Sequence, residues 1–183
     1  MIMTYFFYCS GPFRKKYTNF VLTGEYSSKL WRPTVTTIVP EGIPYLPFSL
    51  WWIMHHFRLF PNRDFSLYLI YSGHRLVHRS LVTPRYFRFP FMGKDDLQIG
   101  DTWTAPVHRG KGLATFAIQK LLDLHKKPGR KIWYVVDEEN LPSIRAAEKA
   151  GFIRVGEGQR TKRFGMRTFG SYVIKTSPPG LVL

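Results

Sequence analysis

The stretch Leu97-Gln98-Ile99-Gly100-Asp101-Thr102-Trp103-Thr104-Ala105-Pro106-Val107-His108-Arg109-Gly110-Lys111-Gly112-Leu113-Ala114-Thr115 passes from a strand into a helix through a basic, glycine-bearing turn. Leu97 to Thr104 reads as a strand. From Leu113 to His125 the apolar residues Leu113, Phe116, Ala117, Leu121 and Leu124 recur at helical spacing, and Pro128-Gly129 ends the run. Two glycines at such a junction remove Cβ atoms, so backbone N–H groups can approach a phosphate. The helix N-terminus adds about half a positive charge, and Arg109 and Lys111 add full ones. The letters fail two better-known phosphate loops. A Walker A loop needs Ser or Thr after Gly-Lys, where this chain has Gly112. A dinucleotide fingerprint needs a third small residue where this chain has Thr115. Taken alone, the turn fits an ordinary β-to-α junction with solvated charges equally well.

Downstream, Ile132 to Val136 reads as a short buried strand. Asn140 to Ala150 reads as a helix, with Pro142 in its first turn and Gly151 just past its end. Phe152 to Val155 opens another strand, and Ser171 to Lys175 forms the last. Upstream, Ser66 to Tyr71 and Leu76 to Val82 flank Ser72-Gly73 as a hairpin, and residues 49 to 58 read as a short helix. Residues 1 to 48 are rich in Pro, Gly, Thr and aromatics, with strand-like runs at Tyr17 to Leu22 and Thr34 to Val39. The expectation is an α/β (α+β) fold, with ligand chemistry at strand-to-helix turns. The chain reads as one domain over 1–183, with 1–48 as an N-terminal extension or acceptor-side subregion.

The 183 residues carry 27 Lys+Arg against 12 Asp+Glu, a formal charge of +15. That balance predicts a polyanionic partner, whether nucleic acid, an acidic membrane surface or a phosphate-rich small molecule. The single cysteine, Cys9, excludes an internal disulfide framework and a Cys-based zinc site, and it favours a reducing compartment. Met1 to Ser10 lacks the basic region and cleavage site of a signal peptide. Ile43 to Phe60 is the most apolar stretch, but Pro44, Pro47, His55, His56 and Arg58 interrupt it. Trp51 and Trp52 suit a core helix better than an interfacial one. The default location is cytoplasmic.

The hexapeptide Arg109-Gly110-Lys111-Gly112-Leu113-Ala114 resembles the pyrophosphate loop, Arg/Gln-x-x-Gly-x-Gly/Ala, of the GNAT superfamily of acyl-CoA-dependent N-acetyltransferases. Asn140-Leu141-Pro142-Ser143-Ile144-Arg145-Ala146-Ala147-Glu148-Lys149-Ala150-Gly151-Phe152 resembles that family's Asn-opened helix closing on Lys-x-Gly-Phe. The resemblance covers about residues 96 to 156. It implies a mixed, twisted sheet split by a V-shaped gap and flanked by helices, with acetyl-CoA as acyl donor. Thr102, Trp103 and Thr104 would meet the pantetheine arm. Arg109, Gly110, Lys111, Gly112, Leu113 and Ala114 would hold the pyrophosphate. Asn140 would bond the pantetheine or its surroundings, with Ser143 nearby. The family's frequent acid, a Tyr on the Asn-opened helix, is matched here by Ala147, a departure that leaves the acid open.

Acetylating an amine needs a base, close placement and a stabilised oxyanion. Asp101, before the loop, and Glu138, at the end of the next strand, are the base candidates. A turn or surface carboxylate is the plainer reading of each. Tyr134 is an acid candidate that strand alternation would bury, and His74 and His78 could face an acceptor from the hairpin. No metal signature occurs. The basic-aromatic runs Arg85-Tyr86-Phe87-Arg88-Phe89-Pro90-Phe91 and Lys162-Arg163-Phe164-Gly165-Met166-Arg167 read as strands with arginines outward, or as the border of an acceptor pocket suited to an amino-sugar nucleotide. The rival acceptors are a protein or peptide amine and a small polyamine or antibiotic; a polycation fits poorly with +15. Outside the enzyme class, the rivals are a nucleic-acid-binding module of GNAT shape and a membrane-surface protein. A homodimer is compatible with all of these.

Overall fold

The computed structural model describes residues 3–10, 22–43 and 45–176. Its strands are β1 (Thr4–Ser10), β2 (Tyr26–Trp31), β3 (Ser66–Ser72), β4 (Arg75–Pro84), β5 (Leu97–Thr104), β6 (Ile132–Asp137), β7 (Phe152–Arg160) and β8 (Tyr172–Thr176). Its helices are α1 (Tyr45–His56), α2 (Leu113–Leu124) and α3 (Leu141–Lys149). The strands form one sheet in the order β2-β3-β4-β5-β6-β1-β7-β8. Every neighbouring pair is antiparallel except β5–β6. This is a mixed α/β fold.

Helices on both faces dictate the side-chain pattern. Along β3, Tyr68 and Ile70 join the core under α2 and α3, and Leu67 and Leu69 join the core under α1. With both faces buried, such a strand reads as a continuous apolar run rather than an alternation. A third cluster forms where Phe89 and Met92, from the segment between β4 and β5, pack on Phe7, Trp133 and Val155. Phe91 packs against it and meets the rings of Phe7 and Trp133 edge-on. Arg85 to Phe91 is therefore not a strand, and none of it lines the cleft described below.

Several expectations shift. The Met1-to-Ser10 run supplies β1, which lies between β6 and β7 in the body of the sheet. Thr34 to Val39 is not a strand. The Thr34 hydroxyl accepts from the Thr37 N–H at 3.0 Å, and the Thr34 carbonyl accepts from Trp52 Nε1 at 2.8 Å. A Thr side chain that closes a turn competes with the strand ladder. Of the run Tyr17 to Leu22, residues 17–21 lie outside the described residues, and Leu22 is not in a strand. In α2, Leu124 is exposed, and Ile118 and Leu122 are buried instead. Lys162 to Arg167 forms the tip of the β7–β8 hairpin, with Arg163 bridged to Met166. No helix among the described residues is long and apolar enough to cross a membrane.

Candidate functional site

The one parallel pair opens the sheet. β5 and β6 pair at Leu97–Ile132, Gln98–Trp133 and Ile99–Tyr134, and no further. Immediately afterwards β5 bulges against β4. The register shifts between Arg79 and Leu81, and Asp101 takes a left-handed φ of 43°. A bulge bends its strand and sharpens the local twist, so β5 swings away from β6. The result is a V between the two strands. Past Ile99, the β6-facing edge of β5 has no strand partner among the described residues.

The chain after β5 closes the mouth of this V. A 3-10 turn over Pro106–His108 leads to Arg109, then Gly110 and Gly112, at φ 75° and 77°. An added Cβ at Gly110 would meet nothing within 4 Å. The backbone conformation, not space, is what calls for glycine there. α2 starts at Leu113 with no side-chain cap, so its first N–H groups keep their donors free for a ligand. α3 starts beside it. Asn140 Oδ1 accepts from the Ser143 N–H at 3.2 Å, and Pro142 sits in the first turn.

A cleft of about 600 Å³ lies between the two helix starts and the end of β5. It gathers Thr102, Trp103, Thr104, Arg109, Gly110, Gly112, Leu113, Ala114, Asn140 and Ser143 from the expected set. It adds His108, Arg145 and Lys149, and no carboxylate lines it among the described residues. Arg145 and Lys149 stand four apart on α3. That spacing, which puts both on one helix face, was the available signal for them. Two converging helix N-termini and several cations give this cleft a positive character.

Three expected residues stand apart from the lining: Lys111, Asp101 and Glu138. Lys111 Nζ donates to Tyr26 Oη at 3.3 Å and lies over the Tyr26 ring, whose hydroxyl also bonds His108 Nδ1 at 2.9 Å. The glycine turn is thereby clamped from β2. Both oxygens of Asp101 take Arg79, Nε at 3.0 Å and Nη2 at 3.4 Å. That guanidinium also lies over Phe48 and Trp103. Glu138 is half-buried in the turn after β6, and its N–H donates to the Thr4 carbonyl at 3.1 Å.

Beside the cleft runs a buried polar chain. His78 is fully buried, not facing an acceptor from the hairpin. Its Nδ1 bonds Thr104 Oγ1 at 2.8 Å, and its Nε2 bonds Ser80 Oγ at 3.0 Å. Ser80 Oγ in turn meets Thr102 Oγ1 at 3.3 Å. Burial pulls the imidazole down to about 3, so it is neutral at ordinary pH. Tyr134 is buried on the β6 side, and burial raises its hydroxyl above the usual range. Hydrogen bonds from Thr102 and Ser143 pull the other way. The two residues bonded to Tyr134 both line the cleft. His74 is exposed in the β3–β4 turn.

Residues 41–152 match the model of the acetyltransferase (GNAT) family. Among solved structures, the chain is similar to a GNAT-family acetyltransferase from Colwellia psychrerythraea, with a TM-score of 0.54 and 12% identity over 84% of this chain and 53% of that one. It is also similar to a GNAT-family protein from Novosphingobium aromaticivorans, with a TM-score of 0.53 and 15% identity over 86% of this chain and 62% of that one. At such identities the likeness concerns the fold, and the chain spans less than two thirds of either structure. No curated protein matches it. The family match extends over more than half of the sequence, and it includes the diverging strands, the glycine turn and both helix starts that build the cleft: the chain belongs to the acetyltransferase (GNAT) family.

Proposed function

We propose that this protein transfers an acetyl group from acetyl-CoA to a primary amine. The observation that carries this reading is the cleft where β5 leaves β6 at the N-terminus of α2. Its chemistry fits an extended, polyanionic, amide-bearing cofactor. The free edge of β5 at Thr102 to Thr104 suits backbone pairing with pantetheine amides. The uncapped start of α2, with Arg109, suits a pyrophosphate. Arg145 and Lys149 suit further phosphate charge, and Asn140 and Ser143 suit the pantetheine end.

Acetyl-CoA supplies an acetyl thioester, whose sulfur leaves as a thiolate when the amine attacks. The chain's own groups position the reactants and handle two protons. Glu138 makes no ion pair among the described residues, and we assign it as the base that takes the ammonium proton, directly or through water. Asp101 is the alternative, but Arg79 already occupies both of its oxygens. Tyr134 keeps its proton at neutral pH, and with Thr102 and Ser143 donating to its oxygen that proton is left for the leaving sulfur. That role would fall to it because Ala147, fully buried, offers no hydroxyl from α3.

The acceptor we favour is an amine on an anionic molecule, such as an amino-sugar nucleotide. The β7–β8 hairpin tip supports this. β7 runs in the same direction as β6, so Lys162, Arg163 and Arg167 lie at the end of the sheet where the cleft opens. Phe164, 78% exposed at φ 53°, offers a ring for a base to stack on. The test is release of free thiol from acetyl-CoA with a panel of amino-sugar nucleotides, peptides and polyamines. Release with the anionic acceptors only, lost in Arg109→Glu, is expected. Release with polyamines alone would refute the acceptor class, and no release with any amine would refute the activity.

A further inference from the structure

We propose that the outer face of α1, together with a cationic pocket at its C-terminal end, docks the protein on an anionic phospholipid surface. α1 is apolar on two sides. Its inner side packs Phe48 and Trp51 into the core over β3 and β4. Its outer side carries Leu46, Leu50 and Ile53, and Phe57, one residue past its end with its N–H bonded to the Ile53 carbonyl, extends the line, at steps of four, three and four residues. These fall within a narrow stripe on a helix of 3.6 residues per turn. All four are exposed, Leu46 by 89% and Phe57 by 72%. The stripe runs about 16 Å along the helix.

The stripe continues through the exposed Leu59 into a shallow pocket of 430 Å³. Arg58, Arg85 and Lys94 line that pocket, with Phe87 exposed at its rim. None of the three cations makes an ion pair among the described residues, and Asp95 is the neighbouring acid in sequence. Arg58 is held at φ 56°, a conformation that favours glycine, just past the end of the helix. The pocket lies where β4 ends and β5 begins, the end of the sheet opposite the cleft. α1 packs on the face of the sheet opposite α2 and α3, so the cleft stays open when this face is covered.

The occupant follows from the chemistry of the two parts together. A nucleic acid offers phosphates but no apolar body to cover Leu46, Leu50 and Ile53. A second copy offers an apolar stripe but no phosphates for Arg58, Arg85 and Lys94. A bilayer leaflet of anionic phospholipid offers acyl chains to the stripe and phosphates to Arg58, Arg85 and Lys94, as in helices that lie in the membrane plane.

The test is sedimentation of the full chain with vesicles of phosphatidylcholine alone or doped with phosphatidylserine. Two double variants accompany it, Leu50→Ser with Phe57→Ser, and Arg85→Glu with Lys94→Glu. All four side chains lie at the surface or at the pocket, so folding is retained and circular dichroism checks it. The wild type should sediment with the phosphatidylserine vesicles, and each variant should bind them at least about tenfold more weakly. Failure of the wild type to sediment overturns the proposal. So does binding by both variants as tight as the wild type's, which would mean adsorption through diffuse net charge. Self-association abolished by the Ser variant, without vesicle binding, would hand the stripe to a second copy and overturn it too. Acetyl-CoA affinity should be unchanged in both variants, so this result stands apart from the acetyl-transfer reading.

Discussion

Tyr134 and His78 show how burial sets the chemistry of single groups in this site. Tyr134 lies under α3, where its hydroxyl meets Thr102 and Ser143. Tyr134→Phe removes one oxygen from a packed ring. We expect kcat to fall by about a hundredfold or more, the usual scale for general acid catalysis, with acetyl-CoA affinity little changed. Steady-state kinetics beside direct binding measures both. His78 is fixed neutral by burial, at about 3. The unfolded chain takes up a proton near pH 6.5 that the folded chain refuses until about pH 3. Its contribution to stability is thus full above pH 6.5 and is lost as pH falls through that window, at roughly 1.4 kcal/mol per pH unit. His125, also pulled down by burial, to about 4, adds to the slope over most of it. Urea unfolding at about pH 7 and about pH 5 should show this loss, and His78→Gln should shrink it. An unchanged slope in the variant would mean that His78 is not buried as described.

At the scale of elements, the N-terminal strand carries the least expected weight. Phe7 is fully buried in β1, edge-on to the rings of Phe91 and Tyr172. Phe7→Ala should cost about 3–5 kcal/mol in chemical denaturation, the range for emptying a large aromatic site. A loss within the scatter of surface substitutions would contradict the placement of β1 inside the sheet. The sequence did not mark this strand. Phe6, Phe7, Tyr8 and Cys9 form an unbroken apolar run, and a strand covered on both faces lacks the alternation that identifies strands. β2 was hidden for the opposite reason: Ser27, Ser28 and Lys29 are exposed on an edge strand. Thr34 to Val39 carried β-branched residues and still became a turn, because one hydroxyl closed it. The β3–β4 hairpin and β5, α2, β6 and α3 were legible within a few residues. Their glycines, prolines and helical spacing act locally. The glycine turn and the Asn-opened helix were therefore readable as letters. The β5 bulge, the His78 chain and the clamp of Lys111 on Tyr26 were not, since each depends on strands distant in sequence.

Among the described residues of this chain of formal charge +15, cations gather at two places away from the cleft that bear on its partners. One is the hairpin tip at Lys162 to Arg167, and the other is the pocket of Arg58, Arg85 and Lys94. Diffuse charge of this kind attracts any polyanion and weakens steeply with salt. A cofactor held by directed N–H donors, a strand edge and a few paired cations should depend on salt far less. The direct measurement is calorimetric titration of the protein with acetyl-CoA at moderate salt, repeated with Arg109→Glu and with a mixed oligonucleotide. One-to-one acetyl-CoA binding, lost in Arg109→Glu and stronger than a salt-sensitive oligonucleotide signal, is the predicted result. Absence of acetyl-CoA binding, or binding that survives Arg109→Glu unchanged, would contradict the assignment of the cleft.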